Sequence, residues 1–207
     1  MNYVVTYIDV QPGRTSEAVE LLKQYATAGN GGVLQEIHRP QRFVVIEAWA
    51  DEPALQIHEN AQQTGQFRSR LREIHNSPFD RRVHQPFAID RRTCLISPSA
   101  LFVVTHVDVP PPRKDETEIL LKRVSEQSRN DEGNLRYDVF QQNAPRTNHF
   151  TVVEAWTDEN AFARHEAITH TRQFREALGP MLGAPYDDRL YKVAHASGNR
   201  VVLRTHS

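Results

Sequence analysis

An α+β fold made of two tandem ferredoxin-like units, each in the order β-α-β-β-α-β, is what this 207-residue sequence predicts. Three observations carry the prediction. The stretch FVVIEAWADEPALQIHE, Phe43 to Glu59, returns as FTVVEAWTDENAFARHE, Phe150 to Glu166, with 10 of 17 positions identical. The match continues outward: YVVTYIDV at Tyr3 is echoed by FVVTHVDV at Phe102 at an offset of 99, and QFR at Gln66 by QFR at Gln173 at an offset of 107. The second copy therefore carries eight extra residues between those points. Within each copy, strand-like runs alternate with runs whose apolar residues recur at helical spacing. Two copies of a unit of about 100 residues mean duplicated domains, not a solenoid.

The elements follow in order. Tyr3 to Val10 is β-branched and alternating, and Pro12-Gly13 ends it. A helix starts at Thr15 or Ser16, with Ala18, Leu21, Leu22 and Tyr25 at helical spacing, and GNGG stops it. A short strand near Val33 to Ile37, a turn at RPQR and a strong strand from Phe43 to Trp49 come next. Asp51 caps a second helix that tolerates Pro53 in its first turn, and a weaker strand lies near Asp80 to Val83. The second copy offers Phe102 to Val109, a helix from Asp115 to Gln127, strands at Leu135 to Gln141 and Phe150 to Trp156, a helix from Asp158 to Leu178, and a strand at Asp188 to Val193. These readings place domains at 1–90 and 99–194, joined through Gln85 to Ala100 and followed by a tail, 195–207, in which Val201 to Arg204 could add an edge strand.

A ferredoxin-like sheet covered by helices on one face leaves a second apolar face in need of a partner. The repeat is thus expected to form an intramolecular pseudo-dimer, like a dimeric α/β barrel built from one chain, which could pair further as a homodimer. Lys and Arg number 25 against 26 Asp and Glu, which gives neither nucleic acid nor an anionic membrane an electrostatic footprint. No apolar run spans a bilayer, and MNYVVTYIDV lacks a signal peptide's basic start and cleavage site, so a cytoplasmic location is expected. Cys94 is the only cysteine, which excludes internal disulfides and thiolate metal clusters.

Both halves resemble the antibiotic biosynthesis monooxygenase (ABM) domain of the dimeric α+β barrel superfamily. In the second half the resemblance rests on Gly133, Leu135, Arg136, Tyr137, Phe150, Glu154, Trp156, Asp158, Ala161, His165, His170, Phe174 and Leu178. It covers nearly all of both halves. Domains of this kind include cofactor-independent oxygenases of hydroquinones and anthrones, heme-degrading oxygenases and an isomerase of a signalling sugar. The resemblance implies a monooxygenase that takes dioxygen and a small aromatic substrate without a cofactor. Heme binding, and non-catalytic ligand binding, are its alternatives. The first half departs from the pattern: it has a shorter central segment, no equivalent of Tyr137, and Gln63 where the second half has His170. The better-preserved pocket is therefore expected in the second half.

A cofactor-free oxygenase must make its substrate the electron donor by removing a phenolic or enolic proton, and histidine suits that base role near pH 7. His165 is the leading base, and His170, Tyr137, Trp156 and His106 complete the candidate catalytic set, with His149 a further histidine. Each also has a structural reading. His165 shares a helix face with small and apolar groups, Tyr137 could cap the core, and Trp156 could be core instead of a platform for a flat substrate. Glu154 could orient a histidine or pair with an arginine. Alternation places His106 on the face of Val104 and Asp108, opposite Val103, Thr105 and Val107. His165 and His170 are five residues apart, about 140° around an ideal helix, so they converge on one ligand only if the helix breaks or bends near Ile168 to His170, and the spacing taken alone argues against a metal pair. No dinucleotide loop, GxSxG elbow or Walker motif is present.

Overall fold

The computed structural model describes residues 1–28, 31–92, 97 and 99–196. Cys94 and the segment Val201 to Arg204 lie outside the described residues. The fold is α+β, with two ferredoxin-like units in tandem. Unit 1 combines Met1–His84 with the described residues from Tyr191 onward, and unit 2 is Gln85–Leu190.

Unit 1 contains β1 (Asn2–Val10), α1 (Thr15–Ala28), β2 (Gly31–Glu36), β3 (Arg42–Trp49), α2 (Glu52–Asn60), α3 (Gln62–Ile74) and most of β4 (His75–Ala88). Unit 2 contains β5 (Leu101–Asp108), α4 (Lys114–Ser128), β6 (Asn134–Gln142), β7 (His149–Trp156), α5 (Glu159–Ala167) and α6 (Thr169–Leu178). The last strand, β8 (Arg189–Ala196), belongs to the second copy by sequence, yet pairs antiparallel with β2, Leu34 opposite Val193. It supplies the hydrogen bonds that the free edge of β2 would otherwise lack. The sheet of unit 1 thus runs β4-β1-β3-β2-β8, and unit 2 contributes β6-β7-β5.

One face of each sheet packs on its helices. Ile8, Val10, Val33, Phe43 and Val45 meet Leu22, Leu71 and Ile74 in unit 1. Val107, Tyr137, Val139, Phe150 and Val152 meet Leu121, Phe174 and Leu178 in unit 2. Each fully buried Val, Leu or Phe contributes roughly 1.5–3 kcal/mol relative to exposure.

The structure changes two sequence expectations. The last strand of the first copy is far longer than Asp80 to Val83 and takes in the start of the joining segment. Pro78 and Pro86 mask it in the sequence, because proline cannot donate to a ladder. The single second helix expected in each copy is two helices. Ala61 (φ −65°, ψ 139°) and Ile168 (φ −70°, ψ 146°) are extended and break the run. In unit 1 the Thr64 hydroxyl donates to the His58 carbonyl at 2.7 Å, so a side chain takes over a helical acceptor at the break.

Candidate functional site

In β7 the alternation that points Phe150 and Val152 at the helices also points Glu154 and Trp156 there. Tyr137 of β6 stands directly opposite Glu154 on the same face. Asp158 caps α5 by accepting from the Ala161 N–H at 2.8 Å, and α5 carries His165 back over the strand end. The His165 ring lies 4.6 Å from the Trp156 ring and 6.3 Å from that of Tyr137. The break at Ile168 then turns the chain so that His170 and Thr171 approach the same place. A loop before β6 brings Asp131, and Gly133 makes that loop possible. Its φ is +83°, and a Cβ there would sit 2.5 Å from the Ala161 Cβ.

Asp131 organises the cluster. Its Oδ2 lies 2.7 Å from His165 Nδ1 and 3.1 Å from His170 Nε2, the latter outside hydrogen-bond alignment. A carboxylate accepts, so Nδ1 of His165 carries the proton and the Nε2 lone pair faces Glu154 Oε2 at 3.8 Å. Glu154 accepts from the Trp156 indole N–H at 3.0 Å. Burial pulls the His165 imidazole below its ordinary value, against the opposing pull of Asp131. Burial, reinforced by the charge of Asp188, pushes Glu154 up to about 8. Burial also raises the Tyr137 phenol, with Glu154 adding to it. At neutral pH the cluster therefore holds a neutral imidazole beside a protonated carboxyl. Behind it, Arg175 donates to Glu166 at 2.7 Å and to Asp188 at 2.5 Å, and Thr105 donates to the other Asp188 oxygen at 2.7 Å.

Unit 1 repeats the frame with different partners. Glu47, Trp49 and His58 occupy the matching positions, and the Trp49 and His58 rings are 4.5 Å apart. Opposite Glu47 stands Gly31, where unit 2 has Tyr137. The place of that phenol is taken from the helix side by Tyr25, whose hydroxyl lies 2.9 Å from His58 Nε2 and donates to Glu47 Oε2 at 3.4 Å. Burial raises Glu47 to about 7 and lowers His58. A cavity of about 480 Å³ opens beside this group, lined by Tyr25, His58, Gln63, Thr64, Phe67 and Arg70 among others.

The structure thus brings together Tyr137, Trp156, His165 and His170. His106 is not among them: it pairs with Thr151 on the opposite face of the sheet from Val107 and Phe150. His149 lies apart, 2.7 Å from Asp108. Glu154 accepts from the indole, and among the described residues no arginine pairs with it. Asp131, Thr171 and Tyr25 escaped the sequence reading. The extra length of the second copy between helix and strand was the one available signal for Asp131.

A family model described as "Antibiotic biosynthesis monooxygenase" matches residues 1–70 and 100–177. A Bacillus subtilis protein named "Putative monooxygenase YcnE" is 30% identical over 82 residues, 40% of this chain and 85% of its own length. A solved structure from Fusobacterium nucleatum with the same kind of name superposes with a TM-score of 0.80 at 15% identity, covering 94% of this chain and 92% of its own. An anthrone oxidase-like protein gives 0.75 at 12% identity over 99% of this chain and 96% of its own. At such identities the two structures show a shared fold over 94% and 99% of the chain.

Proposed function

The chain belongs to the antibiotic biosynthesis monooxygenase family, and from that premise we propose that it is a cofactor-independent monooxygenase that joins dioxygen to a small aromatic hydroquinone- or anthrone-like substrate in unit 2. The observation that supports this reading is the hold on His165: Asp131 fixes the Nδ1 proton and leaves Nε2 as a base beside the Trp156 ring. Nε2 removes the acidic proton of the substrate. The resulting carbanion or phenolate passes an electron to dioxygen, and recombination forms a C–O bond to a peroxide. The proton held on His165 returns to the peroxide, and loss of the second methylene proton then sends its C–H electron pair into the new C=O bond as the O–O bond breaks, so that an anthrone methylene and O2 give a carbonyl and water. Tyr137 stays protonated and can donate to the substrate oxygen, Trp156 supplies an aromatic face, and His170 stands 3.1 Å from Asp131.

Oxygen uptake by metal-stripped, flavin-free protein, measured across reduced naphthoquinones, benzohydroquinones and anthrones, tests the reading. Uptake above autoxidation is expected for the wild type, with a fall of about 10²–10⁴-fold in His165→Ala. No uptake on any of these compounds would remove it.

The cavity of unit 1 supports a second reading, non-catalytic binding of a small ligand. A compound that raises the melting temperature while oxygen uptake stays at background would favour it.

A further inference from the structure

We propose that Asp131, His165 and His170 form a binding site for one divalent transition-metal ion. One oxygen and two ring nitrogens, from three separate elements, all lie within 4.8 Å of one another. Ligands at about 2.0–2.2 Å from a shared ion are themselves about 3.0–3.6 Å apart, so only small shifts of Asp131 and a turn of the His170 ring separate this cluster from a coordinating one. Asp131 Oδ2 already stands 2.7 and 3.1 Å from the two nitrogens.

Two further features single the cluster out. His170 Nε2 is buried and finds no aligned hydrogen-bond partner among the described residues, although it faces a carboxylate. A buried donor left in that state costs about 1–3 kcal/mol, and a metal bond would satisfy it. The far nitrogen of His165 faces the Glu154 carboxyl at 3.8 Å, where a slight approach would let it donate to that group as the ring nitrogens of metal-bound histidines do. Two imidazoles and one carboxylate match zinc, iron(II), cobalt(II) and their neighbours better than magnesium or calcium. Helical spacing does not hold the two histidines apart, because α5 ends at Ala167 and Ile168 is extended. Unit 1 is a natural control: Gln63 stands where His170 does, and His58 turns its Nε2 to Tyr25.

Coordination through Nδ1 would put the imidazole proton on Nε2, so a bound ion and base catalysis by His165 exclude each other. That consequence, inhibition, rests on the oxygenase reading; the ion site itself does not.

The test uses the tag-free, full-length, EDTA-stripped chain titrated with zinc(II) by calorimetry and with cobalt(II) by its visible ligand-field absorption. One ion per chain is expected, weakened about 10- to 100-fold in His170→Gln and in Asp131→Asn and unchanged in His58→Gln. His170→Gln installs the residue that unit 1 already tolerates, so the test survives if Asp131→Asn fails to fold. Absence of saturable one-to-one binding, or His170→Gln binding like the wild type, would overturn the site. One-to-one binding that leaves oxygen uptake unchanged would keep the site and remove His165 as the base.

Discussion

The ends of β3 and β7 pose the same problem and solve it differently. Each sends a buried glutamate and a tryptophan toward a histidine one helix later, with ring separations of 4.5 Å in unit 1 and 4.6 Å in unit 2. In unit 2 that histidine is held by a loop carboxylate and is 2% exposed. In unit 1 a phenol from α1 holds it, and a cavity opens alongside. Duplication preserved the scaffold while the partners diverged. Whatever chemistry distinguishes the two units must therefore come from Asp131, Tyr137 and His170, not from the repeated words EAW and HE.

The loop that carries Asp131 is where this contrast breaks most easily. Gly133→Ala forces a left-handed residue to bear a Cβ that would lie 2.5 Å from Ala161 Cβ and 2.8 Å from Thr157 Oγ1. The backbone cost and the overpacking together predict a loss of about 2–5 kcal/mol. Gly31→Ala in unit 1 meets Ile46 O at 3.0 Å and Glu47 Cγ at 3.1 Å with no left-handed strain, and should cost about 1 kcal/mol. Urea midpoints would show the difference; equal losses would mean that the loop yields and that Asp131 is not rigidly placed.

The repeat, the strand carrying Glu154 and the Asp caps were legible because each is a local pattern with a local cause. The helix breaks at Ala61 and Ile168 were not, since neither is proline or glycine and each depends on bonds formed only when the turn has folded. Asp131 was invisible for a related reason: its partner lies 34 residues away, and only a break in a helix brings the second histidine to it. Tyr25 sits on a helix face that reads as core, yet its hydroxyl reaches His58. His106 shows the converse limit: alternation gave its face but not which face meets the helices.

Acid–base behaviour sharpens the comparison at intermediate size. Glu47 and Glu154 are raised from 4.5 to about 7 and about 8, chiefly by burial. Between the unfolded and folded values the native state holds the extra proton, so stability falls as pH rises from about 4.5 to about 7 in unit 1 and to about 8 in unit 2, and levels off beyond. Glu47→Gln and Glu154→Gln remove that loss. Each should stabilise the protein at pH 8.5 by on the order of 1–3 kcal/mol relative to pH 4.5, Glu154→Gln the more. The amide oxygen can still accept from Trp156. Stability curves of variant and wild type that run parallel across this range would show that both carboxyls find compensation and ionise normally.

The smallest expected effect tests the shared scaffold itself. Asp51 accepts from the Ala54 N–H at 2.8 Å and Asp158 from the Ala161 N–H at 2.8 Å, each from an extended cap residue that starts the helix bearing the histidine. Asp51→Ala and Asp158→Ala should each cost about 1 kcal/mol and agree to within about 0.5 kcal/mol, because the two caps are geometrically the same. A markedly larger loss for Asp158→Ala would have a specific meaning. Ala161 also packs against the position that Gly133 leaves open. The start of α5 would then be coupled to the Asp131 loop, and the divergence of the two units would reach into the frame they share.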